Sequence, residues 1–186
     1  MLIQLERRRG ASATAGVVSP SVSIAPRVRV ATIADMDHVE PIIAGFARRG
    51  LMLPKTREQL YRTFREFVVA DVEGQVLGCA ALRVYTPELA EVCALAVSEA
   101  AHGRGVGRGL VEELVEQART LGIRTLFALT LEDGFFHRLG FRTTTVDEFP
   151  LKVASDCRTC PRRSHCPEIT VARDLDYLDE RSVSDA

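Results

Sequence analysis

The stretch AHGRGVGRGL, residues 101–110, carries glycine at four alternate positions between an apolar run and an amphipathic one. Glycine adopts positive φ angles freely and lets another group approach the backbone closely, at an entropic cost that requires a reason. A loop of N–H groups that leads into a helix attracts anions, because the helix dipole and the unpaired N–H groups both favour negative charge. The stretch therefore predicts a diphosphate-binding loop.

Two common phosphate-binding motifs do not fit this stretch. The Walker loop, GxxxxGK followed by Ser or Thr, requires a lysine, and the stretch has none. The dinucleotide motif GxGxxG fails because Leu110 stands where its third glycine belongs. The stretch resembles instead a motif of GNAT acetyltransferases, which has Gln or Arg, two residues and then Gly-x-Gly; His102 stands here in the Gln or Arg position.

Hydrophobic periodicity predicts the elements around the loop. Strands are predicted at 27–31, at 67–85 as a hairpin that turns at Glu73–Gly74, at 90–97, at 123–129 and at 141–146. Helices are predicted at 35–49, after a capping pair formed by Thr56 and Gln59, at 110–118 and at 135–139. Pro41 either kinks the first of these helices or delays its start. Their order predicts an α/β fold with a mixed sheet.

Length and composition indicate one domain of 186 residues with a formal net charge of -1. We expect the domain at 27–153, a flexible tail at 1–26 and a cysteine-bearing tail at 154–186. The charge gives no basic field for nucleic acid, and no apolar run approaches the roughly 20 residues of a membrane helix. Nucleic acid and membrane partners are therefore not expected.

The N-terminal segment and the cysteines bear on the compartment. Ser, Thr, Gly and Pro interrupt the apolar part of residues 1–26, which argues against a secretory signal; an organellar transit peptide, a disordered tail and an upstream start codon stay open. Five cysteines, three of them crowded near the end, do not make a disulfide framework for a chain of this length. We expect a reducing, cytoplasmic compartment.

Three segments in register carry a resemblance to a known family. HGRGVG (102–107) resembles the acetyl-CoA motif of GNAT acetyltransferases, EVCALAV (91–97) their cofactor strand, and FFHRLGF (135–141) the segment that follows. A narrower resemblance, to short single-domain N-acetylglutamate synthases, is carried by residues 48–71, 78–82, 127–141 and 156–166.

The resemblance implies the GNAT fold, with a mixed, mostly antiparallel sheet flanked by helices. It implies acetyl-CoA as cosubstrate, with the pantetheine arm along Leu95, Ala96 and Val97. It also implies that the diphosphate meets the backbone of the loop: His102, Gly103, Arg104, Gly105, Val106, Gly107 and Arg108. By analogy with the family, the chain is expected to form a homodimer.

Transfer to an amine requires that an ammonium group lose its proton, so a side chain that can accept this proton is expected near the thioester. Strand alternation puts Glu91 on one face with Cys93, Leu95 and Val97, which makes Glu91 the first candidate. Glu132, after the next strand, is the second. Phe136 stands where many GNAT enzymes carry a tyrosine proposed as general acid, so no general acid is assigned.

The narrower resemblance implies L-glutamate as acceptor and the first step of arginine biosynthesis as the reaction. Lys55 and Arg83 are the candidate counter-charges for its carboxylates. Two other readings stay open. One is a GNAT enzyme for another amino acid, a small amine or a protein N-terminus, and the other is a noncatalytic acyl-CoA-binding module.

The three late cysteines form CxxC, five residues and a third cysteine: Cys157, Cys160 and Cys166. CxxC is a spacing suited to zinc, although only one such pair is present. A structural metal, a disulfide and reduced thiols that pack the tail are the alternatives.

Overall fold

The computed structural model describes residues 25–175. Its strands are β1 (Arg27–Val30), β2 (Phe67–Val72), β3 (Gln75–Thr86), β4 (Leu89–Val97), β5 (Thr125–Thr130), β6 (Arg142–Thr144) and β7 (Ile169–Asp174). Its α-helices are α1 (Met36–Arg48), α2 (Arg57–Thr63), α3 (Val106–Thr120), α4 (Asp133–His137) and α5 (Pro150–Ser155).

The strands form one sheet in the order β1-β2-β3-β4-β5-β7-β6. Neighbouring strands are antiparallel except β4 and β5, which run parallel. The expected mixed, mostly antiparallel sheet flanked by helices is confirmed. The predicted order of elements also holds from β1 to β6.

Both faces of the sheet are covered by helices. One face packs on α3, whose apolar stripe is fully or almost fully buried: Val106, Leu110, Val111, Leu114, Val115 and Ala118. The other face packs on α1 and α2 through Met36, Val39, Ile43 and Leu60. Helical spacing of apolar residues is what lets each helix bury one side against the sheet.

Local sequence signals fix the ends of several elements. Thr56 and Gln59 form the predicted capping box at the start of α2, with Thr56 Oγ1 accepting from Gln59 N at 3.2 Å. Glu73 and Gly74 turn the β2–β3 hairpin with φ of 51° and 84°. Pro41 lies inside α1, which nevertheless begins at Met36.

The predicted end of the domain at residue 153 is wrong as a limit of the sheet. β7 lies at 169–174, between β5 and β6, and forms a ladder with both. The predicted flexible tail lies outside the described residues, apart from residues 25 and 26. Within residues 25–175, no helix has the length and apolar character needed to cross a membrane.

Candidate active site

A cavity opens where β4 and β5 diverge. The two strands pair only over Leu89–Glu91 and Thr125–Phe127; beyond these residues β4 continues along β3, while β5 continues along β7. The edge of β4 that faces away from β3 therefore has no strand partner beyond Glu91 in the part of the chain described. The cavity beside it has a volume of about 940 Å³. Backbone polar groups on such an edge are available to a ligand.

A β-bulge in β4 changes the face of the sheet on which its side chains lie. Ala94 has a φ of 52°, and the pairing with β3 shifts between Cys93 and Ala96. Cys93 packs with the core under α1 and α2, whereas Leu95 and Val97 pack with the core under α3. The sequence predicted that Glu91 and Cys93 share one face of the strand with Leu95 and Val97. This prediction is wrong beyond Cys93, because the extra residue of the bulge reverses the alternation of side chains between the two faces.

The glycine loop lines one end of this cavity, next to the end of β4 at Val97; this is called the cofactor end below. Gly103 and Gly105 have φ of 73° and 77°, which explains the need for glycine, and α3 begins at Val106 directly after Gly105. No acidic side chain lies in the first turn of α3 and no side chain caps it. The first N–H groups of a 15-residue helix thus remain available to an anion.

Most of the predicted cofactor residues line the cavity, and two do not. Those that line it are Leu95, Val97, His102, Gly103, Gly105, Val106, Gly107 and Arg108. Ala96 is buried and pairs with Cys79 on β3. Arg104 is exposed and is not part of the lining.

His102 holds the loop to the end of β4 through its side chain. Its ring Nε2 lies 2.9 Å from the carbonyl oxygen of Val97, so this nitrogen is the donor of the hydrogen bond. The family pattern has Gln or Arg at this position, and the histidine still supplies an N–H donor there.

The end of the cavity around Glu91, away from the glycine loop, is called the acceptor end below. It contains a buried ion pair that the sequence did not predict. Glu91 is 3% exposed, and its Oε1 and Oε2 lie 2.8 and 3.0 Å from Lys152 Nζ. The Tyr85 hydroxyl donates to Glu91 Oε2 at 2.9 Å. Burial lowers the pKa of Lys152, but the charges of Glu91 and Asp156 and the hydrogen bonds to them together outweigh burial, and the net pKa is raised. Glu91 is thus held by a cation and a phenol.

Asp156 extends this network toward β3. Its Oδ2 accepts from Arg83 Nη1 at 3.1 Å, from the Tyr85 hydroxyl at 2.9 Å and from Lys152 Nζ at 3.0 Å. Burial raises the pKa of Asp156, but the hydrogen bond from Lys152 and the nearby positive charges lower it further, to about 2. Asp156 is therefore a carboxylate at neutral pH.

Lys152 lies on α5, and Asp156 directly follows the last residue of that helix; the two stand four residues apart and lie on the same side of it. This i, i+4 spacing is the only sequence signal that pointed to them.

The other predicted side chains are also brought to the cavity. Lys55, Arg83 and Glu132 all line it. Lys55 is half-buried, Glu132 is exposed, and Arg83 is tied to Asp156. Cys93 lines the cavity as well, and burial raises the pKa of its thiol to about 12. The side chain is a neutral thiol near pH 7.

The predicted metal site is not supported. Cys157, Cys160 and Cys166 are free thiols. Among residues 25–175, no group of three or more His, Cys, Asp or Glu side chains is arranged to hold a metal ion. The CxxC spacing alone misled the prediction, because a metal needs the sulfur atoms to converge. The disulfide alternative is likewise absent from the described residues.

Fold and cavity together define an acyl-CoA-dependent transferase, and the comparisons with known proteins agree. The family model described as "Acetyltransferase (GNAT) family" matches residues 36–141. The chain belongs to the GNAT family of acetyltransferases.

Relatives of known sequence narrow the class. An uncharacterised N-acetyltransferase of Chlorobaculum tepidum is 40% identical over 80% of this chain and 96% of its own length. The amino-acid acetyltransferase of Mycobacterium tuberculosis is 33% identical over 82% of this chain and 87% of its own length. That of Neisseria meningitidis serogroup A is 34% identical over 74% of this chain, which spans only 32% of that longer relative.

Two solved structures share the fold closely. The N-acetylglutamate synthase of Neisseria gonorrhoeae, complexed with coenzyme A and N-acetyl-glutamate, gives a TM-score of 0.75 at 29% identity over 83% of this chain and 36% of that one. Rv2747 from Mycobacterium tuberculosis, in complex with CoA and NLQ, gives 0.72 at 29% identity over 81% of this chain and 100% of that one.

Proposed function

We propose that this chain transfers the acetyl group of acetyl-CoA directly to the α-amino group of L-glutamate. The observation that carries the proposal is a single cavity that joins the glycine loop, the unpaired edge of β4 and the buried carboxylate of Glu91. A structural neighbour whose complex holds coenzyme A and N-acetyl-glutamate supports the choice of acceptor.

Acetyl-CoA fits the cofactor end in this proposal. The diphosphate takes N–H groups of the loop between His102 and Arg108, where the helix dipole of α3 favours its charge. The pantetheine arm lies along the open edge of β4. Backbone N–H groups near Leu95 and Val97 then stabilise the oxyanion that develops on the thioester carbonyl.

L-Glutamate binds at the other end. Lys55 takes one carboxylate of the acceptor, and Glu91 receives the proton of its ammonium group through water in the cavity. Arg83 is the second counter-charge, although Asp156 holds it in the free protein. Glu132 is the weaker candidate base, because it is exposed to solvent.

The reaction follows from these positions. The deprotonated amine attacks the thioester carbonyl, a C–N bond forms, and the C–S bond breaks to release the thiolate of coenzyme A. The proton that the nitrogen loses as the amide forms passes to water in the cavity. Cys93 is a neutral thiol with its pKa raised to about 12 by burial, which argues against an acetyl-cysteine intermediate. Because Phe136 replaces the family's tyrosine, no side chain is proposed to protonate the thiolate. N-Acetyl-L-glutamate is the product that begins arginine biosynthesis.

One observation favours a second candidate, transfer to an amino acid or amine with an apolar body. Apolar residues of α1 and the loop before α2 line the cavity: Phe46, Leu51, Met52 and Leu53. Leu51 and Leu53 are each 43% exposed, so they offer apolar surface that an acceptor can cover.

The test is to incubate the purified protein with acetyl-CoA and a panel of amino acids and amines, following thiol release and product mass. We expect saturable formation of N-acetyl-L-glutamate, and its loss in Glu91→Gln. Turnover of an apolar amine alone would transfer the proposal to the second candidate. Acetyl-CoA binding without turnover of any acceptor would contradict both and favour a noncatalytic module.

A further inference from the structure

Three cations line the acceptor end of the cavity, and they are not equally available. Lys55 forms no ion pair with any of the residues 25–175. Arg83 and Lys152 are both bound to Asp156, at 3.1 and 3.0 Å. Among these three cations, an entering carboxylate therefore meets one without an ion pair, Lys55, and two that a protein carboxylate already occupies.

Arg83 is held from a second direction as well. Its Nε lies 3.8 Å from Glu66 Oε2, an ion pair too long to be a hydrogen bond. Lys152 is similarly shared, because it contacts both oxygens of Glu91 in addition to Asp156. The acceptor end thus balances Lys55, Arg83 and Lys152 against three protein carboxylates before any substrate is bound.

Asp156 is placed so that it can be displaced at moderate cost. Its side chain is 33% exposed, unlike that of Glu91 at 4%. It also lines a second cavity of about 680 Å³, together with Glu66, Arg83 and Ser155. A partly exposed carboxylate at this boundary can give up its cations more readily than a fully buried one can.

We infer that Asp156 is a specificity-determining residue, which occupies the two cations that a side-chain carboxylate of the acceptor needs. This inference rests on the proposed function. With Asp156 in place, an acceptor binds one carboxylate at Lys55, and a second carboxylate must compete with Asp156 for Arg83 and Lys152. An uncharged amide of the same shape meets no such competition. Asp156 thereby lowers the preference for an acidic side chain over its amide.

L-Glutamate and L-glutamine are the matched probes, because they differ by one carboxylate against one amide. The experiment measures kcat/KM for both amino acids in the wild type and in Asp156→Asn, which removes the charge and nearly keeps the shape. We expect the glutamate-to-glutamine ratio of kcat/KM to rise about tenfold or more in the variant, because Arg83 and Lys152 lose the carboxylate that they share and can bind the carboxylate of the acceptor in its place. The KM for acetyl-CoA should stay the same.

Glu168→Gln is the matched control. Glu168 lines the same cavity and is half-buried, but it forms no ion pair with any cation of residues 25–175. Its neutralisation should leave the ratio unchanged. Asp156→Ala, checked for an intact thermal transition, should raise the ratio in the same direction as Asp156→Asn.

The outcomes separate this inference from the proposed function. If both amino acids are acetylated and the ratio is the same in Asp156→Asn and the wild type, the inference is overturned and the proposed function stands. An equal loss of activity with both amino acids overturns it too, since that is what structural damage produces. If the wild type acetylates neither amino acid, the proposed function fails and the assignment of Asp156 falls with it.

Discussion

The two ends of the cavity are built from different parts of the polypeptide. In the proposed function, the cofactor end binds coenzyme A through backbone N–H groups of one contiguous loop, and its side chains serve mainly to shape that loop, as His102 does through Val97. The acceptor end uses charged side chains from β3, β4 and α5. Backbone recognition tolerates the replacement of the family's Gln or Arg by histidine. A site made of side-chain charges can instead change its substrate through one residue.

The largest expected effect lies at the acceptor end. Glu91→Gln should lower kcat by about 100- to 10,000-fold, the range typical for a general base. Stopped assays of N-acetyl-L-glutamate at saturating acetyl-CoA measure it. Glu132→Gln is the matched control, because it neutralises the exposed carboxylate on the same cavity. If Glu132→Gln causes the larger loss, the base lies after β5 and the assignment of Glu91 is wrong.

The next effect tests the backbone character of the cofactor end. Gly105→Asp and Gly105→Asn have nearly the same shape, and both residue types tolerate the positive φ of Gly105 better than other side chains do. A negative charge close to the diphosphate should weaken CoA binding by about 30- to 100-fold in the aspartate variant relative to the asparagine variant. Titration calorimetry with CoA measures the difference. Equal dissociation constants would show that the diphosphate lies elsewhere.

A smaller effect is expected in the free energy of unfolding, which should depend on pH differently for variants at the two ends of the cavity. The pKa of Asp156 is lowered to about 2 in the folded protein, against about 3.9 in an unfolded chain, so its ion pairs stabilise the fold above pH 4. This stabilisation is lost as the pH falls toward 2. Wild type should exceed Asp156→Asn by about 1 kcal/mol in free energy of unfolding at pH 7, and by almost nothing near pH 2.

Urea unfolding from pH 7 to pH 2 gives these differences directly. Gly105→Asn serves as the reference from the cofactor end, because it changes no titratable group. Its difference from wild type should stay constant with pH. A difference for Asp156→Asn that also stays constant would mean that the ion pairs of Asp156 contribute nothing to stability.

The smallest expected effect concerns the cysteines that follow the acceptor end. Cys160 is a free thiol, and residues 25–175 contain no group of side chains arranged to hold a metal ion. Cys160→Ser should therefore shift Tm by less than about 2 °C. A chelator should leave the Tm of the wild type unchanged. Stoichiometric zinc in the purified protein, together with a fall in Tm on chelation, would show that the cysteines hold a metal after all.

The glycine loop and its position in the fold could be predicted from the sequence because their signals are local. Four alternating glycines, an apolar strand before them and an amphipathic helix after them are all contiguous, and their order fixes the loop between β4 and α3. Whether the side chains of Glu91 and Leu95 lie on the same face of β4 could not be predicted. The alternation of side chains along β4 is broken by the bulge at Ala94, and an alanine gives no sequence signal of a positive φ.

The acceptor end was only partly predictable because its residues come together through tertiary contacts. Lys152 belongs to a helix of six residues that starts at Pro150, and Asp156 directly follows that helix, which is too short for a clear periodic pattern. β7 was missed for a related reason, since a short buried strand with small residues does not alternate clearly in polarity. Without β7 and α5, the tail looked separate from the domain.

The insertion of β7 between β5 and β6 also bears on how the chain is made. Synthesis proceeds from the N-terminus, so β5 and β6 leave the ribosome before the strand that pairs with both of them. Until residues 169–174 emerge, the nascent chain carries one open edge on β5 and a β6 without a strand partner, which are sites for pairing with other chains. Translational pausing just before Ile169 should therefore make the nascent protein dependent on chaperones.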